Sequence, residues 1–180
     1  MEKHKGEASI LFENPVSILE VASIVGPKEG EGPLKDYFDK ILTDIMDGEN
    51  TWEKAESKIV KDTMELVMKK SGLSFDDIDY IVAGDLLNQI TGSTFGIRDF
   101  GKPFFGIYGA CSNIGEGLGI SSVLTDGGFA KKILVGVSSH FCSAEKQFRF
   151  PLEMGGQRPP SSTWTVTGDG SMIVSKDGDG

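Results

Sequence analysis

The chain has 180 residues, 38% of them hydrophobic and 25% charged, a composition that suits a soluble globular domain large enough to bury a core. Its 18 basic and 27 acidic residues leave a net charge of -9, which opposes binding to a phosphate backbone and argues against nucleic acid as a partner. No run approaches the roughly 18 apolar residues of a membrane-spanning helix, and Met1 to Ala8 is polar where a secretory signal would be apolar, so neither a transmembrane segment nor a signal peptide is expected.

In chain order, residues 1–8 are predicted to be a flexible tail and residues 9–180 one domain. Val16 to Val25 is rich in β-branched residues and stops at Gly26-Pro27, which predicts a strand closed by a turn, with a polar loop through Pro33. From Thr51 to Ser71, Trp52, Ala55, Ile59, Thr63, Leu66 and Val67 recur at helical spacing. Asn50 with Glu53 reads as the capping box of this helix and Gly72 as its stop. Its polar face, with Glu53, Lys54, Glu56, Lys58 and Lys61, reads as solvated surface. Asp79 to Gly84 is a short apolar run of the kind found in buried parallel strands, and the polar segment Asn88 to Ser93 follows it, where ligands are commonly met.

A second buried strand, Pro103 to Tyr108, leads into Gly109-Ala110-Cys111-Ser112-Asn113 and then a helix to about Thr125. Lys131 to Ser138 is predicted as another strand, and Trp164 to Ser175 as a hairpin around Gly168-Asp169-Gly170. Alternating strands and helices indicate an α/β fold with a mixed sheet of five strands. No internal repeat is visible; the 24 glycines cluster in motifs.

Cys111 and Cys142 are too few for a disulfide framework and lack zinc-ligand spacing, so no metal is called for, and the residues point to no cofactor. By default each is a small buried hydrophobe. Cys111 stands apart because it lies between a buried strand and a helix N-terminus, a position that favours negative charge and offers unpaired N-H groups. A nucleophile belongs at such a turn. The helix after it carries Gly115, Gly117 and Gly119, each costing about 0.8 to 1 kcal/mol relative to Ala. Close packing on several sides of a thin, buried helix would explain them.

Gly109-Ala110-Cys111-Ser112-Asn113-Ile114-Gly115-Glu116-Gly117-Leu118 resembles the nucleophile segment of thiolases and type III ketoacyl-ACP synthases, whose cysteine takes an acyl group from a thioester. Lys132 to Ser139 resembles the strand that follows that helix, and Thr163 to Val174 the segment closing the first half of the thiolase fold. Two further stretches, Gly26 to Leu34 and Gly155 to Ser162, are similar to the stage V sporulation protein AD family. The resemblance implies the N-terminal half of a layered α-β-α-β-α, thiolase-like fold. It further implies a member of the set of proteins that move dipicolinic acid into the developing spore, located in the forespore or spore, soluble or peripheral to the inner spore membrane. A homodimer is expected, with the acid, with or without calcium, and the other proteins of the set as partners.

Two departures bear on chemistry. Condensing enzymes usually continue after the cysteine with Gly and an apolar or aromatic residue, where this chain has Asn113, Gly115 and Glu116. The second half of such enzymes, with the histidine that completes their site, is absent from the 180 residues. Of the histidines present, His4 reads as part of the tail and His140 as a partly exposed loop residue. Three functions therefore stay open: binding of dipicolinic acid in a pocket at Cys111 without turnover, acyl transfer with Cys111 as acyl-accepting nucleophile, and structural docking within a membrane transport complex. Ligand-binding candidates are Cys111, Ser112, Asn88 and Glu116, together with Arg149 and Arg158, since Arg suits carboxylate recognition.

Overall fold

The computed structural model describes residues 3–148, 161 and 163–178. A two-stranded hairpin, β1 (His4–Lys5) and β2 (Ser9–Ile10), precedes β3 (Ser17–Val25), β4 (Lys40–Ile41), α1 (Trp52–Ser71) and β5 (Tyr80–Gly84). Then come α2 (Thr91–Ile97), β6 (Phe104–Ile107), α3 (Asn113–Asp126), β7 (Lys132–Ser139), α4 (Phe141–Phe148) and β8 (Gly168–Ser175). Six strands form one mixed sheet in the order β4-β3-β8-β7-β5-β6. Only β8 runs against the others.

The sheet has one strand more than the five expected, because Lys40–Ile41 adds a two-residue edge beside Ile24 and Val25. A strand that short carries no periodicity to read. The expected hairpin at 164–175 is instead the single strand β8, and neither Gly168 nor Gly170 has the positive φ of a turn. Glycine is needed at 168 for closeness, since a Cβ there would lie 2.7 Å from Ile24 O.

α1 covers one face of the sheet, packing on β3, β7 and β8. Its stripe Ala55, Ile59, Val60, Thr63, Met64, Val67 and Met68 is buried. The cap is Thr51, whose side chain accepts from Lys54 N at 3.2 Å, in place of the expected Asn50–Glu53 box. Gly72, at φ 70, ends the helix in the left-handed conformation. The polar segment Asn88 to Ser93 forms one turn at Asn88–Ile90 and then the start of α2.

α3 covers the opposite face over β5, β6, β7 and β8. It is buried on one side only, which corrects the expectation of a helix enclosed on several sides. Gly117 meets the sheet, where a Cβ would lie 2.9 Å from Val135 Cγ1, while Cβ atoms at Gly115 and Gly119 would meet nothing within 4 Å. Ile114 and Val123 on the helix, and Ile18 and Val21 on β3, are exposed. At the N-terminus, the segment expected to be a tail forms the β1–β2 hairpin and is tied to the end of α3, with Lys3 Nζ donating to Asp126 Oδ2 at 2.8 Å.

Candidate functional site

β5 and β6 run parallel and end side by side at Gly84 and Ile107, and the chain turns there to enter α3. Three hydrogen bonds hold the turn. Ser112 Oγ donates to Gly109 O at 2.6 Å, Gly109 N donates to Asn113 Oδ1 at 2.5 Å, and Asn113 Nδ2 donates to Asp85 O at 3.2 Å. Asn113 is fully buried, so it clamps the ends of two strands together behind Cys111. Ala110 takes φ 51, a left-handed setting that costs a non-glycine residue roughly 1 to 2 kcal/mol. This strained turn presents Cys111 exposed, one residue before the N-cap of α3.

Cys111 borders a cleft of about 510 Å³ on the α3 side of the sheet. The far walls come from distant parts of the chain: Ser23 on β3, Phe38, Ser139 at the end of β7, Trp164, and Gly170 on β8. Trp164 stacks on Phe141 with ring centroids 4.0 Å apart, and Lys28 Nζ stands 5.5 Å from the Trp164 ring centroid. The cleft lining thus includes two aromatic residues, Phe38 and Trp164, and the Cys111 turn, with the Lys28 cation over the Trp164 ring. A larger hollow of about 680 Å³ lies between α1 and α2. Its charges satisfy one another, as in Lys58–Asp62 and Lys61–Asp99, so it is a solvated groove.

Of the described residues singled out from sequence as site candidates, Cys111 alone lies in the cleft wall. Ser112 and Glu116 are exposed, the latter one turn along α3 with its carboxylate near Gly109. Asn88 is exposed and held by Tyr108, whose hydroxyl donates to Asn88 Oδ1 at 3.3 Å. Arg149 and Arg158 lie outside the described residues. His140 is not the partly exposed loop residue expected. It is fully buried at the start of α4, its Nε2-H donates to Ile45 O at 2.8 Å, and burial pushes its pKa down. Among the described residues the cleft walls hold no histidine.

Trp164, Phe38, Ser139 and Gly170 were missed in the sequence. The one available signal was the conjunction of a small-residue strand with an aromatic just before it. Glu56, read as solvated surface, is completely buried.

The two thiols differ in setting. Cys142 is half-buried, and burial pushes its pKa up, with Glu145 adding to the effect. Cys111 is exposed beside the start of a 14-residue helix. Competitive alkylation at neutral pH, read by peptide mass, is expected to modify Cys111 about tenfold or more faster than Cys142. Equal rates would show that the turn gives Cys111 no advantage.

A family model described as Stage V sporulation protein AD (SpoVAD) matches residues 6–180. A curated relative, Stage V sporulation protein AD of Bacillus subtilis (strain 168), is 41% identical over 174 residues, covering 97% of this chain and 52% of the relative. The chain therefore spans about half the length of the curated relative it matches. Among solved structures, 3-oxoacyl-(acyl carrier protein) synthase III, FabH, of Xanthomonas oryzae pv. oryzae aligns with a TM-score of 0.60 at 17% identity, over 91% of this chain and 56% of that one. An OleA variant of Xanthomonas campestris aligns with a TM-score of 0.61 at 16% identity, over 93% and 60%. At such identities the likeness is one of fold: the chain has the α/β architecture of thiolase-like condensing enzymes, over about half of their length.

Proposed function

Because this chain belongs to the stage V sporulation protein AD family, and so is a sporulation protein with a thiolase-like fold, we propose that its Cys111 cleft binds dipicolinic acid. In this reading the full-length protein assists uptake of the acid into the developing spore, acting there as a soluble or membrane-peripheral homodimer alongside the other proteins of the uptake set. The observation that carries it is the lining of the cleft: Trp164, with the Lys28 cation over its ring, and Phe38 share that lining with the turn from which α3 begins. A planar aromatic dianion needs a flat apolar wall and local positive potential, and the helix N-terminus adds to the latter. The cleft's volume suits a small ring compound. Attraction must be local, because a net charge of -9 repels a dianion at long range.

Among the described residues no helix is long and apolar enough to cross a membrane, and no group of His, Cys, Asp and Glu side chains is arranged to hold a metal ion. Calcium, where present, would enter with the acid. A second reading, acyl transfer, is favoured by the exposed thiol on its strained turn.

One experiment separates the two. Full-length protein is titrated with dipicolinate by calorimetry and, in parallel, incubated with acetyl-CoA while the mass of the Cys111 peptide is followed. Binding in the micromolar to millimolar range without a mass gain is expected. Acetylation of Cys111 with no dipicolinate binding would replace the binding reading with acyl transfer.

A further inference from the structure

Between α1 and the sheet, on the face away from α3, three carboxyl groups meet. Glu56 of α1 and Asp85 just after β5 are fully buried, and Asp169 of β8 is nearly so. Their partners are hydroxyl and amide groups. Ser138 Oγ and Ser143 Oγ reach Glu56 at 3.1 and 2.8 Å; Leu87 N and Ser93 N reach Asp85 at 2.8 and 2.7 Å; Ser171 Oγ reaches Asp169 at 2.6 Å. Among the described residues no lysine or arginine pairs with them. Burial first, and the Asp85 charge second, push Glu56 up to about 7, and burial pushes Asp169 well above the usual carboxylate range.

Ser143 gives Glu56 two satisfied states. Its Oγ lies 2.8 Å from Glu56 Oε2 and 3.1 Å from His140 O, with one hydrogen to give. When Glu56 is ionised, Ser143 donates to it. When Glu56 carries a proton, the carboxyl donates to Ser143 Oγ, which turns its own hydrogen to His140 O. Both arrangements leave no donor unused, so the site can change charge without breaking the fold.

Two short routes connect this group with the cleft. Ser138 bonds Glu56 and also lines the cleft. Gly92, in the first turn of α2, is wedged against both carboxyls, since a Cβ there would lie 3.1 Å from Glu56 Cδ and 3.2 Å from Asp85 Oδ2. The main-chain carbonyl of the same Asp85 accepts from Asn113 Nδ2, the clamp behind Cys111, so any shift of the Asp85 residue is passed to the clamp through its backbone.

We propose that Glu56 is a proton-operated switch of the Cys111 cleft: protonated, it lets the Asp85–Asn113 clamp hold the turn for an anionic ligand, and ionised, it sets negative charge against Asp85 and weakens binding. Titratable groups approach Glu56 from several elements. α1 itself adds Glu53, which is paired with Lys146 of α4 at 2.9 Å. The segment after β5 adds Asp85 and β8 adds Asp169, while α4 faces Glu56 with Ser143 and the preceding His140 lies nearer Glu53 and Glu29. β7 and α2 face Glu56 with Ser138, Gly92 and Ser93, none of which titrates in this range. The folded chain holds this proton more tightly than an unfolded one, so the group's contribution to stability is fully present below about 4.5 and is lost as pH rises through about 7.

The ligand identity rests on the dipicolinate reading, and the test keeps the two apart. On full-length protein from about pH 6 to about pH 9, wild-type affinity for dipicolinate is expected to fall about tenfold, and that of Glu56→Gln to stay level. Independently of any ligand, the pH profile of Cys111 alkylation by iodoacetamide is expected to show an inflection near neutrality that Glu56→Gln lacks. Ser143→Ala, which keeps Glu56 but removes a donor to its ionised form, should move that inflection to higher pH. Absence of dipicolinate binding with a Glu56-dependent alkylation profile removes the ligand reading and supports the switch. Dipicolinate binding with a level wild-type pH profile, or alkylation profiles alike in wild type and Glu56→Gln, overturns the switch. If Glu56→Gln does not fold, an inflection left unmoved by Ser143→Ala overturns it.

Discussion

Gly170→Phe is expected to fill the cleft beside Cys111 and to lower the affinity of the full-length protein for dipicolinate by about a hundredfold or more, ~2.7 kcal/mol. Gly170 pairs with Ser23 of β3 on one side and Val137 of β7 on the other, and lines the cleft. A Cβ at that position meets nothing within 4 Å, so the new ring projects into the space the ligand would occupy. Aromatic residues suit strands, and the thermal midpoint should be preserved. Ser112, the residue after the cysteine, is a poorer place for such a block because it is exposed and outside the cleft wall. Calorimetric titration of Gly170→Phe beside Cys111→Ala gives the answer. The cysteine variant should bind almost normally if the thiol is only a wall. Undiminished binding by a correctly folded Gly170→Phe would move the ligand elsewhere.

Gly84→Ala is expected to destabilise the protein by about 2 to 3 kcal/mol, the range of an overpacked core. A Cβ at Gly84 would run into Ile107 O across the β5–β6 pair and lie 2.7 Å from Asn113 Nδ2. Neither neighbour can give way cheaply. One is backbone, and the other is a fully buried side chain already committed to Gly109 N and Asp85 O. The same methyl therefore loosens the turn carrying Cys111, so the alkylation rate of that thiol should change along with the denaturant midpoint. An unchanged midpoint would mean that β5 and β6 can spread there without loss.

Much of this protein was legible in the sequence because local patterns report local physics. The β-branched run before Gly26, the helical period with its stop at Gly72 and the apolar run ending at Gly84 each located an element. The second strand expected to be buried, Pro103 to Tyr108, is instead the edge strand β6 with Phe105 and Tyr108 exposed, because among the described residues no strand pairs on its far side. A small-residue turn between a strand and a glycine-containing helix located Cys111. Caps were harder: Asn50 and Thr51 are both good cap residues, and only the backbone shows that Thr51 accepts from Lys54 N.

What the sequence could not carry depends on residues far apart in the chain. The cleft joins Ser23, Cys111, Ser139, Trp164 and Gly170, and only the order β3-β8-β7-β5-β6 brings them together. Glu56 reads as one more charge on a polar helical face until Ser138 and Ser143, 82 and 87 residues away, supply the hydroxyls that make its burial tolerable. His140 reads as a loop residue until α4 and Ile45 O enclose it. The glycines of α3 looked alike by propensity, yet only Gly117 faces the sheet. Composition and period determine which elements form and which stripe of each is apolar. Which polar groups go inside, and which face remains open for a ligand, is decided by the partners that tertiary packing provides, because a buried charge or hydroxyl is stable only where another part of the chain satisfies it.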